Sequence, residues 1–129
     1  MLVVDASVIA PTVADGGPDG IRYRQRLHGE QIAVPDLLRI EVLSVIRRQL
    51  HVGTIDATQA EEAVTDLLDL PMTVYPTAPL LRRSWQLRDN LTAYDACYVA
   101  LAETLGRSLL TADTRLARAP GARCTFEVI

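Results

Sequence analysis

Lysine is absent from this chain of 129 residues, and all 13 of its basic side chains are arginine. Chemistry that needs an amine, such as a Schiff base or the phosphate lysine of a P-loop, is therefore excluded, while planar bidentate contacts to phosphate remain available. Histidine and cysteine are nearly as scarce, with only His28, His51, Cys97 and Cys124. Their spacing fits no zinc motif and supplies no disulfide framework. Aromatic residues make up 5% of the chain, and no apolar run approaches the roughly 18 residues of a membrane span. The N-terminus lacks the basic start of a secretory signal, so no membrane partner and a cytoplasmic location are expected.

What the chain does have is a regular alternation of apolar runs and helical periodicity. Its length and 49% hydrophobic content fit one domain spanning residues 1–129. Strand signals fall at Leu2 to Val4, Ile32 to Val34, Met72 to Tyr75, Leu109 to Leu110 and Cys124 to Val128. Between them the pattern predicts helices from Ser7, after Pro18-Asp19, from Asp36 to about His51 before Gly53, from Ala57 to Leu70, and from Thr77-Pro79 to about Asn90. A last one, carrying Asp95, stops before Gly106. Asp56 and Gln59 resemble a capping box, and Asp15-Gly16-Gly17 is the expected mobile stretch. The order implies an α/β fold: a three-layer α/β/α sandwich with a mainly parallel central sheet.

Four carboxylates stand where a carboxylate is locally out of character. Asp5 ends the apolar run Met1-Leu2-Val3-Val4, and Asp113 follows Leu109-Leu110 closely. Glu41 and Asp95 lie on helices without a basic partner three or four residues away. Each has an ordinary explanation: Asp5 and Asp113 as turn residues or helix caps after strands, Glu41 as a solvated helix residue, and Asp95 as the third-position partner of Thr92 in a capping box. Together they suit a single site, because ligands of parallel α/β sheets bind beyond the carboxyl ends of the strands. Two carboxylates about 5 Å apart repel by roughly 3 kcal/mol at an effective dielectric of 20, and a divalent cation removes that penalty. Oxygen donors without Cys or His select Mg²⁺ or Mn²⁺ over zinc, and such a site suits hydrolysis of a phosphodiester. The formal charge of −3 argues against a nucleic-acid partner in general. Setting the four acids aside leaves 12 acids against 13 arginines, a surface that does not repel phosphate.

At these same residues the sequence resembles the PIN-domain ribonucleases, and most closely the VapC-type toxins of toxin–antitoxin pairs. The resemblance rests on Val3-Val4-Asp5-Ala6-Ser7, Pro35 through Glu41-Val42, Tyr94-Asp95-Ala96 and Leu110-Thr111-Ala112-Asp113, in order along nearly the whole chain. It implies that Asp5, Glu41, Asp95 and Asp113 are the catalytic, metal-ligating acids, with Ser7 and Thr111 as supporting polar groups. It also implies cleavage of RNA, inhibition by a cognate VapB-like antitoxin and a homodimer. Two positions depart from the pattern. Ser44 stands where relatives often carry Asn, and Arg115 where some carry a further acid, so no fifth ligand is expected.

Other classes fit less well. A receiver domain uses a pocket lysine, which is missing here. A haloacid-dehalogenase-like phosphatase expects an aspartate where Ser7 stands, and Gly16-Gly17-Pro18-Asp19-Gly20 follows no strand as a nucleotide loop would. The alternative of a different kind is a non-catalytic PIN-like domain that binds RNA or an antitoxin. Arg48, two turns beyond Glu41, and Arg115 are the preferred phosphate contacts, ahead of Arg22, Arg26, Arg82 and Arg83. Trp85 and Tyr98 are expected in the core, with base stacking as their functional alternative. The helix from Asp36 to His51 carries Leu37, Leu38, Ile40, Val42, Leu43, Val45, Ile46 and Leu50. Any of these left outside the core would offer a groove to an antitoxin helix.

Overall fold

Leu2-Val3-Val4 is short and wholly apolar, as a strand covered on both faces must be. In the computed structural model, which describes residues 1–129, it forms β1 (Leu2–Val4) in the middle of a five-stranded sheet. The chain continues through α1 (Ala6–Ala14), α2 (Pro18–Leu27), β2 (Ile32–Pro35), α3 (Leu38–Val52), α4 (Ala57–Asp69) and β3 (Thr73–Tyr75). A 3₁₀ turn (Ala78–Leu80) leads to α5 (Leu81–Gln86), α6 (Ala93–Leu105), β4 (Leu109–Thr111), α7 (Thr114–Ala117) and β5 (Phe126–Val128). The strand order is β3-β2-β1-β4-β5, and every pair is parallel. Helices α1 to α4 pack on one another, whereas α6 lies against β1, β2 and β4 with α5 beside it. Right-handed crossovers put these two groups on opposite faces, which gives the three layers.

That strand order has one consequence for function. Connections leaving β1 move toward β3, and the one leaving β4 moves toward β5, so the order reverses between β1 and β4. Ligands of open parallel sheets bind at such a reversal, beyond the carboxyl ends of the strands. Val4 is in register with Leu110, and the Asp5 N–H donates to the Leu110 carbonyl at 3.2 Å. The residues following the two strands are thereby held level.

The core is continuous from the sheet into α6, where Ala96 through Ala102 are all buried. A helix with no polar stripe belongs inside. Gly53 and Gly106 end α3 and α6 at φ of 80° and 62°, and each N–H turns back to carbonyls of the last turn. This left-handed closure is easy only for glycine. Asp56 and Gln59 form the expected capping box at 2.8 and 2.9 Å. The Asp15 to Gly17 stretch is tied by the Asp15 side chain to the Gly17 N–H at 2.7 Å and by Arg24 to the Asp15 carbonyl at 2.8 Å.

Several boundaries differ from the sequence pattern. The segment expected as one helix to Asn90 stops at Gln86, because Leu87, Arg88 and Asn90 donate to carbonyls only three residues back. The buried Leu87 and the bond from Asn90 to the Pro120 carbonyl hold that tighter path. The last strand starts at Phe126 rather than Cys124, since pairing with β4 begins at Leu109 opposite Phe126. The four-residue α7 was not expected at all. No helix is long and apolar enough to cross a membrane. On α3, Leu38, Val42 and Ile46 point into the core while Ile40 and Leu43 stay exposed, with Ile40 at 68%.

Candidate acidic active site

The carboxyl ends of β1 and β4 are laced together by hydroxyls. Asp5 caps α1: its Oδ1 accepts from the Ser7 N–H at 3.1 Å and from the Ser7 hydroxyl at 2.5 Å. Its Oδ2 accepts from the Thr111 hydroxyl at 2.6 Å. Thr111 Oγ1 in turn accepts from the Asp113 N–H at 3.0 Å, and Ser7 Oγ accepts from the Ala112 N–H at 2.9 Å. The two hydroxyl oxygens lie 3.3 Å apart. Ser7 and Thr111 thus bond both oxygens of Asp5, which is only 4% exposed and immobilised between them.

The other three acids are held less firmly. Asp113 caps α7, with Oδ1 accepting from the Arg115 and Leu116 N–H groups at 2.9 and 3.4 Å. Glu41, in the first turn of α3, receives a single bond, from the Tyr98 hydroxyl to Oε1 at 2.6 Å. Asp95 opens α6, where Thr92 caps the helix by accepting from the Asp95 N–H at 3.2 Å. The capping-box reading of Asp95 is only half realised, since its carboxylate does not accept from the Thr92 backbone N–H. That carboxylate faces a cleft of about 280 Å³ shared with Asn90, Leu91, Thr92, Asp113, Arg115 and Leu116.

Electrostatics places the four acids in one field. Burial is the main cause raising the Asp5 carboxyl above its ordinary range, with the Asp95 charge adding to it and the bonds from Ser7 and Thr111 opposing it. Glu41 is raised first by burial and then by Asp95 and Asp5, against the bond from Tyr98. Asp95 is raised first by burial and next by Asp113, against a bond from the Thr92 hydroxyl and the Arg115 charge. Each inner acid therefore makes its neighbours harder to ionise, as expected for clustered carboxylates without a central counter-charge. The one arginine among them is Arg115, whose Nε is 3.8 Å from Asp113 Oδ1 while its side chain is 93% exposed. A pairing so open to water is weak.

No three acidic, histidine or cysteine side chains are gathered tightly enough to enclose a bare ion. The donor set nevertheless fits a hydrated one. Magnesium keeps several of its waters and takes only one or two carboxylates directly, so a loose ring of hard oxygens around unrelieved negative charge is the kind of site it occupies. Asp5, Glu41, Asp95 and Asp113 are the residues that could hold it.

Other candidates fall elsewhere. Arg48 is exposed on α3 about 10 Å along the helix from Glu41, and the structure gives it neither ion pair nor hydrogen bond toward the acids. Arg26 is not free to track phosphate, because it forks onto Glu127 and also binds Glu30 at 2.7 Å. Arg83 is likewise committed, to Glu103, and Arg22 pairs with Asp19 at 3.5 Å. Trp85, expected in the core, is 67% exposed, with the Arg88 guanidinium 4.7 Å from its ring centre. Tyr98 is a core residue, but its bond to Glu41 is a contact that sequence reasoning missed. The available signal was its place one helical turn after Asp95, on the same side of α6.

Known proteins resemble this chain over nearly its whole length. The model of the PIN domain family matches residues 2–122. The chain is 38% identical over 129 residues to a VapC ribonuclease of Mycobacterium bovis, covering 100% of this chain and 98% of the relative. It is 41% identical over 128 residues to ribonuclease VapC1 of Mycobacterium tuberculosis, covering 98% and 96%. Among solved structures, a toxin–antitoxin complex from Klebsiella pneumoniae superposes with a TM-score of 0.66 over 94% of each chain, at 19% identity, which speaks to fold alone. A family model that runs from the first strand past the last of the four acids, together with full-length relatives at these identities, settles the assignment: the chain belongs to the PIN-domain family, among its VapC ribonucleases.

Proposed function

We propose that this protein is a Mg²⁺- or Mn²⁺-dependent endoribonuclease that hydrolyses RNA phosphodiester bonds and acts as the toxin of a toxin–antitoxin pair. The observation that carries this reading is the set of four carboxylates at the reversal of strand order, without a central counter-charge, three of which (Asp5, Glu41 and Asp95) are raised by burial and by the charges of the others. Its relatives bearing the name ribonuclease support the substrate class. Bound Mg²⁺ or Mn²⁺ supplies a Lewis acid beside the scissile phosphate and lowers the pKa of water there.

The chain's own residues do the positioning. Ser7 and Thr111 fix both oxygens of Asp5, so this ligand needs no reorganisation when a cation arrives. Asp95 and Asp113 line the cleft in which a phosphate would lie beside the cation. Arg115 stands exposed at its rim and offers a cationic contact to the nucleic-acid backbone. The exposed apolar residues of α3, Ile40, Leu43 and Leu50, supply a surface for the helix of a cognate antitoxin or for a second copy of the chain.

The test uses purified protein and a mixed pool of RNA. Cleavage is expected to vanish in EDTA, to return with Mg²⁺ or Mn²⁺, and to fall at least a hundredfold in Asp5→Asn and Asp95→Asn variants that still fold. Full activity in EDTA would sink the metal mechanism, and RNA binding without any cleavage would turn the reading to a non-catalytic domain.

A further inference from the structure

Tyr98 is the largest fully buried side chain of the protein, 1% exposed, yet it brings a hydroxyl into the core. A buried phenol O–H needs an acceptor, and here it has one, Glu41 Oε1 at 2.6 Å. The reverse dependence matters more. Asp5 is held by three bonds and Asp113 by two, but the Glu41 carboxylate receives no hydrogen bond except the one from Tyr98. A glutamate has three side-chain torsions, and without a tether it samples many arrangements around its half-buried position.

The tether also joins two elements. Glu41 belongs to α3, Tyr98 and Asp95 to α6, and the two α6 residues are one turn apart on the same side. Helix α6 therefore presents one acid directly and fixes a second through a hydroxyl. Only Glu41 Oε1 is committed, and Oε2 carries no hydrogen bond.

Building on the metal-dependent reading above, we propose that Tyr98 is the positioning residue for Glu41: its hydroxyl holds that carboxylate with one oxygen turned to the site, and α6 thereby sets the spacing between Glu41 and Asp95 that a cation meets. Supporting bonds of this kind orient metal-ligating groups, and their loss typically lowers metal affinity or activity about 10- to 100-fold.

The experiment compares wild type, Tyr98→Phe, Glu41→Gln and the double variant. Mn²⁺ affinity is measured without RNA by electron paramagnetic resonance of the free ion, and kcat and KM on a short RNA substrate. Phenylalanine keeps the ring that fills the core, so only the tether is removed. Tyr98→Phe is expected to weaken Mn²⁺ binding about tenfold and to lower kcat by a similar factor, with KM for RNA unchanged. The double variant is expected to be no worse than Glu41→Gln, since a residue that acts only through Glu41 has nothing left to act on. In wild type the Tyr98 ring carbon bearing the hydroxyl should shift in NMR spectra during a Mg²⁺ titration, a readout that needs no variant to fold. Wild-type Mn²⁺ affinity and kcat in Tyr98→Phe, additive losses in the double variant, or a Tyr98 resonance indifferent to Mg²⁺ would each overturn the proposal. If wild type cleaves RNA equally well in EDTA, the metal reading itself has failed and the proposal falls with it, an outcome the wild-type arm alone identifies.

Discussion

Replacing Thr111 by Val separates the polar role of that residue from its packing. The side chain is fully buried at the end of β4, and valine keeps its branched shape. The hydroxyl does two things: it donates to Asp5 Oδ2 at 2.6 Å and accepts from the Asp113 N–H at 3.0 Å. Losing a hydrogen bond to a charged group costs about 1.5–3 kcal/mol. The stranded Asp113 N–H adds about 1 kcal/mol, near the lower end for an unsatisfied group, because Asp113 is only partly buried and water reaches it. The extra methyl returns about 0.8 kcal/mol of burial. The net loss is about 2–3 kcal/mol, a large share of a domain's typical 5–15 kcal/mol. At about 3–5 °C per kcal/mol for a domain this size, the melting temperature should fall by about 6–15 °C. Circular dichroism melts and urea unfolding at pH 7 without metal measure it, beside Thr111→Ser, which keeps the hydroxyl and gives up a methyl. The expected order is wild type, then Ser, then Val. A valine variant as stable as wild type, or more stable than the serine variant, would show that packing and not the hydroxyl lacing holds the ends of β1 and β4 together.

Stability should also depend on pH with a definite sign. Asp5, Glu41 and Asp95 have folded pKa values raised above ordinary values of 3.8, 4.5 and 3.8, so the folded state binds more protons and loses stability as pH climbs through and above that range. Glu103 and Glu127 are lowered and act oppositely, but their gain is complete by about pH 5.5, one unit above the ordinary glutamate value. The melting temperature of metal-free wild type minus that of Asp5→Asn, a difference in which Glu103 and Glu127 cancel, should therefore fall as pH climbs from the ordinary carboxylate range upward; a difference that stays constant or grows with pH contradicts it. Adding Mg²⁺ at pH 7 should raise the melting temperature, because a ligand of the folded state stabilises it by mass action. Differential scanning calorimetry at several Mg²⁺ concentrations checks this, and Asp95→Asn should shrink the increment. Arg115→Ala and Arg48→Ala should each weaken RNA binding and reduce the slope of log affinity against log salt by about one; unchanged slopes in filter binding would remove both from the phosphate path.

Much of this was legible in the sequence because the physics is local. A wholly apolar triplet such as Leu2-Val3-Val4 announces an inner strand, and Gly53 and Gly106 stop helices through a conformation that few other residues adopt easily. The acids at Asp5 and Asp113 stood out because each closely follows an apolar strand, where the chain leaves the sheet. What stayed hidden depends on partners distant in the chain. Arg26 meets Glu127 across 101 residues, and Arg83 meets Glu103 across 20, so neither commitment can be read from helical spacing. Trp85 has the composition of a core residue, and its exposure follows from where the chain tightens after Gln86. Tyr98 offered the reverse case: burial was expected, but its acceptor lies 57 residues away on another helix.

The ordinary and the functional readings of these acids turn out not to compete. Asp5 caps α1 and Asp113 caps α7, as aspartates after strands commonly do. An ionised carboxylate has about four acceptor positions, and capping uses only some of them: Asp113 keeps Oδ2 without a hydrogen bond. The four acids form a gradient from locked to free, with Asp5 bonded on both oxygens, Glu41 and Asp113 on one, and Asp95 held only by the Thr92 hydroxyl at the start of its own helix. Such a gradient suits a cation that exchanges water and substrate, because a fixed ligand gives it an address while freer ones adjust as the coordination changes. Helix capping is therefore the means by which the fold aims Asp5 and Asp113, and on the proposed metal-dependent reading the repulsion left among the four acids would drive binding of the cation.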